Sequence, residues 1–199
     1  MIQCCSDGQR LEAVHKSDIM RVERGSFMDQ KVYELINDQI NKELYSAYLY
    51  MDFANYYADE GLNGFANWYM IQAAEERDHA LIFRKYLIDN SCKVVLGAID
   101  QPDETYTDFT TPLEKALEHE KYVTALINDI YAAAHEVRDF RTMQFLDWFI
   151  QEQLEEESTA DDMITNMKLF GTDAKGLYEL DREYGARTYT IATPLAAGE

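Results

Sequence analysis

Four runs of helical periodicity, with almost no proline or glycine to interrupt them, leave this chain little choice but an all-α fold. Only three prolines and nine glycines occur in 199 residues. From Met28 to Ala58, Val32, Leu35, Ile36, Ile40, Ala47, Tyr48 and Met51 recur at three- and four-residue spacing, the signature of one apolar helix face. Asp59, Glu60 and Gly61 close this run, with Gly61 as the left-handed cap residue. Asn63 is placed to cap a second helix that runs to about Asp89. Residues 90–110 show no sustained period and contain Gly97 and Pro102. Thr111, Pro112 and Glu114 then read as a capping box with proline at the first helical position. The third helix runs to about Glu136, and Asp139 caps a fourth that ends before Gly171. Ala174 to Tyr184 forms a short fifth helix with Leu177, Leu180 and Tyr184 on one side.

The connections set the topology. Short turns make the first and last helix pairs antiparallel. The 21 residues between the second and third helices reach about 70 Å when extended. A helix of about 28 residues is only about 42 Å long. The connection therefore returns along the whole bundle and makes helix three parallel to helix two. The result is a four-helix bundle with one long crossover.

Acids stand where this bundle needs a core. Glu43 shares its face with Ile36, Ile40, Ala47 and Tyr50; Glu76 lies with Tyr69, Ala73, Ala80 and Phe83. Glu120 lies with Leu113, Ala116, Leu117, Val123 and Ile127, and Glu156 with Phe149, Ala160 and Met163. Glu43 precedes the first turn, at Glu60, by 17 residues and Glu76 follows it by 16; Glu120 and Glu156 flank the second turn, at Arg138, by 18 each. Equal distance from a turn is equal height in an antiparallel pair, so the four carboxylates converge at one level. His79, three residues after Glu76, joins them. Four buried carboxylates without cations would cost many kcal/mol or force protonation. Four carboxylates and an imidazole suit two divalent metal ions sharing a bridging ligand.

Charge agrees with this reading. Acidic residues outnumber basic ones 37 to 18, a formal net charge of −19. Such a balance disfavours nucleic acid and anionic membrane surfaces as partners and suits a surface that draws in cations. No membrane span is expected, since no run of about 18 apolar residues occurs. The three cysteines include adjacent Cys4 and Cys5 and no Cys-x-x-Cys, which argues against a disulfide framework and for a reducing, cytoplasmic setting. Residues 1–27 are balanced in charge and lack the features of a secretory signal or transit peptide. They are expected to be a flexible extension, in which Leu11, Val14, Ile19 and Met20 could mark one short helix. Residues 28–185 form the helical domain and 186–199 a tail mobile at its end.

The segments INKELYSAYLYM, AAEERDHA, LEHEKYVTALIND and FIQEQLEEE, in their mutual spacing, resemble the bacterial-type non-haem ferritins, within the ferritin-like di-iron carboxylate proteins. The resemblance spans about Asp29 to Tyr184 and implies that fold: a ferritin-like four-helix bundle with a short fifth helix. It implies that Glu43, Glu76 and His79 hold one iron, that Glu76 bridges, and that Glu120 and Glu156 hold the second. Gln153 lies beside the second ion and Tyr50 beside the pair; Tyr50 either supplies a further electron or fills the core. A third iron site is implied at Glu75, Glu152, Glu155 and Glu156. Glu76-Arg77-Asp78-His79 keeps the Glu-x-x-His pattern, whereas Gln153-Leu154-Glu155-Glu156 lacks its histidine. An oxygen-rich second site of this kind binds an exchangeable metal. Arg77 stands where related haem-containing proteins place a methionine, so no haem is expected.

The implied activity is that of a ferroxidase: iron(II) is oxidised with dioxygen or hydrogen peroxide, and iron(III) is stored as mineral in a homo-oligomeric cage of 24 chains. Two other readings compete. One is a di-iron oxidase or oxygenase acting on an organic substrate, which usually keeps the second histidine. The other is a structural cage subunit, which would lack several ligands.

Overall fold

A computed structural model of the chain describes residues 28–103 and 105–196; the expected extension over residues 1–27 lies outside the described residues. Four long helices, α1 (Gln30–Asp59), α2 (Asn63–Asp89), α3 (Thr111–Glu136) and α4 (Phe140–Phe170), are followed by α5 (Ala174–Tyr184) and a single turn, α6 (Thr193–Ala196). There is no strand among the described residues. No described helix is long and apolar enough to cross a membrane.

The tight turns form as their residues dictate. Gly61 has φ +82°, with Leu62 N donating to Tyr57 O at 2.8 Å and Gly61 N to Ala58 O at 3.1 Å. That pair of bonds is the Schellman closure, which needs a left-handed residue. The α3–α4 turn uses the same closure with Arg138 at φ 57°. Asp139 then caps α4, accepting from Thr142 N at 3.1 Å.

Two caps differ from expectation. Asn63 does not cap α2; Asp181 of α5 accepts from Gly64 N at 2.7 Å and Phe65 N at 3.1 Å. This packing is so close that a Cβ on Gly64 would lie 1.6 Å from Asp181 O. Thr111 does not cap α3 either: Asp108 accepts from Thr110 N and Thr111 N, both at 2.9 Å. An aspartate in the preceding loop reaches the free N–H groups better than the short Thr111 side chain, which itself donates to Asp108.

The crossover is guided by α1. Tyr33 donates to Lys93 O at 2.9 Å, and Tyr106 to Asp52 at 2.5 Å. Between them, Asn37 both donates to Val95 O and accepts from Val95 N, while Asn41 donates to Ala98 O and accepts from Gly97 N. Tyr33, Asn37 and Asn41 are one helical turn apart, so one stripe of α1 holds the extended crossover segment. Partner numbers rise together along both segments. The crossover therefore runs parallel to α1, and α3 starts at the same end of the bundle as α2.

Two apolar clusters fill the interior. One, at the α1–α2 turn, contains Phe53, Tyr57, Phe65, Leu113 and Met163, with Leu180 and Tyr184 from α5. The other contains Val32, Ile36, Phe83, Ile127 and Phe149. Glu43, Glu76, Glu120 and Glu156 each lie between residues of the two clusters on their own helix, so a polar layer crosses mid-bundle.

The described part of the tail lies against the bundle. Beyond α5 it turns back along α2, and Ala192 and Leu195 pack against the second cluster. Residues 197–199 lie outside the described residues.

Candidate metal centre

All four long helices deliver a carboxylate to this layer. Glu43, Glu76, His79 and Glu120 are buried and Glu156 is partly so. Their ligand atoms fall into two sets that share a member: Glu43, Glu76 and His79 on one side, Glu76, Glu120 and Glu156 on the other. Within each set the atoms lie within 4.8 Å of one another. Glu76 is the shared residue, and His79 Nδ1 is 3.5 Å from its Oε2. Edge-on contacts with Trp148 and Phe149 confine the His79 ring.

Two buried carboxylate oxygens, Glu43 Oε2 and Glu156 Oε2, have no hydrogen-bond partner. A buried acceptor is normally satisfied, and two unsatisfied ones beside further carboxylates suit a cation in the gap. Oxygen donors with one imidazole suit hard or borderline divalent ions, iron(II) among them.

Electrostatics express the crowding. Burial, then the charge of Glu76, pushes the Glu43 carboxyl well above the usual range. Burial and Glu120 do the same to Glu156. Glu120 is raised to about 7 by burial and by Glu76, although Tyr50 and Gln153 donate to it. Burial disfavours charge on His79, but the charge and hydrogen bond of Glu76, with Glu43 and Glu152, hold its pKa up at about 9. Glu76 is held low: burial would raise it, and His79 together with the Gln72 amide outweighs that. In the metal-free protein the shared carboxylate of Glu76 is thus the one that favours its ionised form, while the neighbouring carboxyls are pushed toward protonation.

The remaining expected residues are accounted for individually. The Tyr50 hydroxyl donates to Glu120 Oε1. Gln153 Nε2 donates to Glu120 Oε2 at 3.1 Å and to Glu120 O at 3.3 Å. Glu152 forms a third potential ligand group with His79 and Glu156. Glu75 and Glu155 belong to no such group among the described residues; they line the adjoining cavity of about 150 Å³, and Glu75 is paired with Arg187.

Sequence reasoning missed three residues. Gln39 donates to Glu43 Oε1 at 2.9 Å, and Gln72 donates to Glu76 at 3.3 Å and Glu156 at 2.9 Å. Each glutamine sits four residues before the glutamate of its own helix that it bonds, a spacing that could have identified both. Arg187, from the tail, had no such signal.

Comparison with known proteins agrees with the geometry. The family model described as Ferritin-like domain matches residues 33–170. A bacterial non-heme ferritin of Staphylococcus aureus is 33% identical over 162 residues, 81% of this chain and 98% of the relative. That of Campylobacter jejuni is 33% identical over 155 residues, 78% and 93% of the two chains. An open-pore ferritin from the archaeon Archaeoglobus fulgidus superposes with a TM-score of 0.79 at 37% identity, covering 81% of this chain and 98% of that one. An engineered closed form of that ferritin gives 0.80 at 37%, covering 82% and 99%. The match runs from the first turns of α1 to the end of α4 and takes in every carboxylate of the mid-bundle layer, and the chain belongs to the ferritin-like domain family.

Proposed function

We propose that the chain is a subunit of an iron-storage protein with ferroxidase activity. Glu43, Glu76 and His79 take one iron(II), and Glu76, Glu120 and Glu156 take the second. The observation that carries this reading is the sharing of Glu76 between two buried ligand sets, with an unsatisfied carboxylate oxygen in each. Each iron(II) gives one electron to dioxygen; two electrons and two protons bring dioxygen to the level of hydrogen peroxide. The protonated carboxyls and the His79 imidazolium release protons as metal arrives, which lets neutral iron–carboxylate groups form in a dry layer. Tyr50, hydrogen-bonded to Glu120, stands beside both ions and fixes that carboxylate. The iron(III) product moves into the interior of a shell of like chains, 24 in the octahedral arrangement, and mineralises there. A third ion, held more weakly than these two, belongs to the Glu75, Glu152, Glu155 and Glu156 cluster that lines the adjoining cavity.

Glu76→Ala tests the assignment, because one carboxylate serves both ions. Iron(II) oxidation in air, followed by absorbance, should lose its fast phase, while electron microscopy still shows the assembled particle. Fast oxidation at the wild-type rate would refute the site. Particles too small for a shell would refute storage.

A further inference from the structure

Beyond α5 the chain lays a strap along α2, and Arg187 is its principal anchor. The Arg187 carbonyl accepts from Asn67 Nδ2 at 3.1 Å. The guanidinium stacks 4.1 Å above the Trp68 ring. Its Nη2 pairs with Glu75 Oε2 at 2.5 Å, and its Nη1 donates to Gln72 Oε1 at 3.0 Å and to Trp68 O at 3.4 Å. Two residues on, the Tyr189 hydroxyl donates to the buried Asp78. An arginine on a solvated tail exchanges partners freely, yet this side chain is only 21% exposed and contacts three residues on one helix face, Trp68, Gln72 and Glu75.

Two consequences follow from where it sits. First, the guanidinium holds the oxygen end of the Gln72 amide, so the NH₂ end must face inward, where it donates to Glu76 and Glu156. Without that hold the amide can turn over and present oxygen to carboxylates. Second, Arg187 places a fixed positive charge at the mouth of the cavity lined by Gln72, Glu75, Glu120, Glu152 and Glu156. Its fork can satisfy Glu75 and Gln72 at once, which a lysine ammonium cannot do with the same geometry.

We propose that Arg187 is a positioning residue of the metal centre and its resident cation: it orients Gln72 toward Glu76 and Glu156, and it stands beside Glu75 in place of a third metal ion. A third ion enters the Glu75 and Glu152 cluster only as Arg187 leaves. This rests on the two-ion reading above and adds a control on the number of ions held. The strap lies outside residues 33–170, so the control comes from a part of the chain that the family match does not include.

The full-length apo-protein tests both halves under anaerobic conditions with cobalt(II), whose visible bands report ligand geometry. Equilibrium dialysis of the wild type should give two tight ions and a weak third. Arg187→Gln should bind the third at least about tenfold tighter, because a unit charge beside it has gone. Arg187→Lys keeps the charge, so its third ion should stay weak while its cobalt bands shift with the released Gln72 amide. An unchanged third-ion affinity in Arg187→Gln overturns the resident-cation role, as does a tight third ion in the wild type. Wild-type bands in both variants overturn the positioning role. Failure of the wild type to bind two ions overturns the two-ion reading itself, and is distinguishable because it occurs before any change at Arg187.

Discussion

Metal loading should expel protons, and the number follows from the site. His79, with its pKa at about 9, carries nearly one proton at pH 7, and Glu120, at about 7, carries about half of one. Both must be lost for an imidazole nitrogen and a carboxylate to bind metal. These two groups alone release about 1.5 protons per chain at pH 7, and Glu43 and Glu156, also raised, can only add to that. At pH 8.5 the same two groups hold only about 0.8 of a proton, so the release should fall by about half. Anaerobic calorimetry with iron(II) or cobalt(II), repeated in buffers of different ionisation enthalpy, yields the count as a slope. The measurement precedes oxidation, so protons from oxygen chemistry do not enter it. A slope of zero at pH 7, or a release that grows with pH, would refute the picture of crowded, protonated ligands.

The same shifts make the apo-protein less stable as pH rises. Glu120 is raised from 4.5, so its contribution is full below pH 4.5 and lost through about 7; His79 is raised from 6.5, so its contribution is full below 6.5 and lost through about 9. Each is worth up to about 3 kcal/mol, and thermal unfolding should show the midpoint falling between pH 5 and 9 without metal and holding steadier with it. His79→Ala should weaken the first ion more than the second, because Glu120 and Glu156 remain; equal weakening in a metal titration would contradict the ligand sets. Asp181→Ala should lower stability by about 1 kcal/mol through the lost cap, and Gly64→Ala by about 1–3 kcal/mol through the backbone clash. Denaturant titrations that leave both variants at wild-type stability would show that α5 does not brace α2.

What the sequence disclosed follows the reach of its periodicities. The four long helices could be read because each carries its own apolar stripe, and the turns because Gly61 and Asp139 act on their immediate neighbours. Asn63 and Thr111 were misjudged as caps for the opposite reason. The groups that satisfy those N–H atoms are Asp181, over a hundred residues away in sequence, and Asp108, outside the box pattern. The length of the crossover predicted its return path. Its seating on Asn37 and Asn41 was hidden, because polar residues on an exposed helix face look alike whether they bind a strand or water.

The convergence of the four carboxylates was legible because geometry in an antiparallel pair is symmetric about the turn. Counting outward from Glu60 and Arg138 brings Glu43, Glu76, Glu120 and Glu156 to one height without any coordinates. The layer's support divides along the same line. Gln39 and Gln72 lie one turn before Glu43 and Glu76 on the same helices, so their contacts are implicit in helix spacing. Arg187 reaches Glu75 across 112 residues from a segment with no period at all. No property of its neighbours marks it, and only the path of the folded chain brings its charge to the centre. Ligands fixed by helix register and a counter-charge fixed by a strap also differ in how they can change. Moving a ligand glutamate requires disturbing two packed apolar clusters. Lifting Arg187 requires breaking only the contacts of one extended segment with α2, so on the proposed reading the strap is the part of the centre that responds to metal without unfolding the bundle.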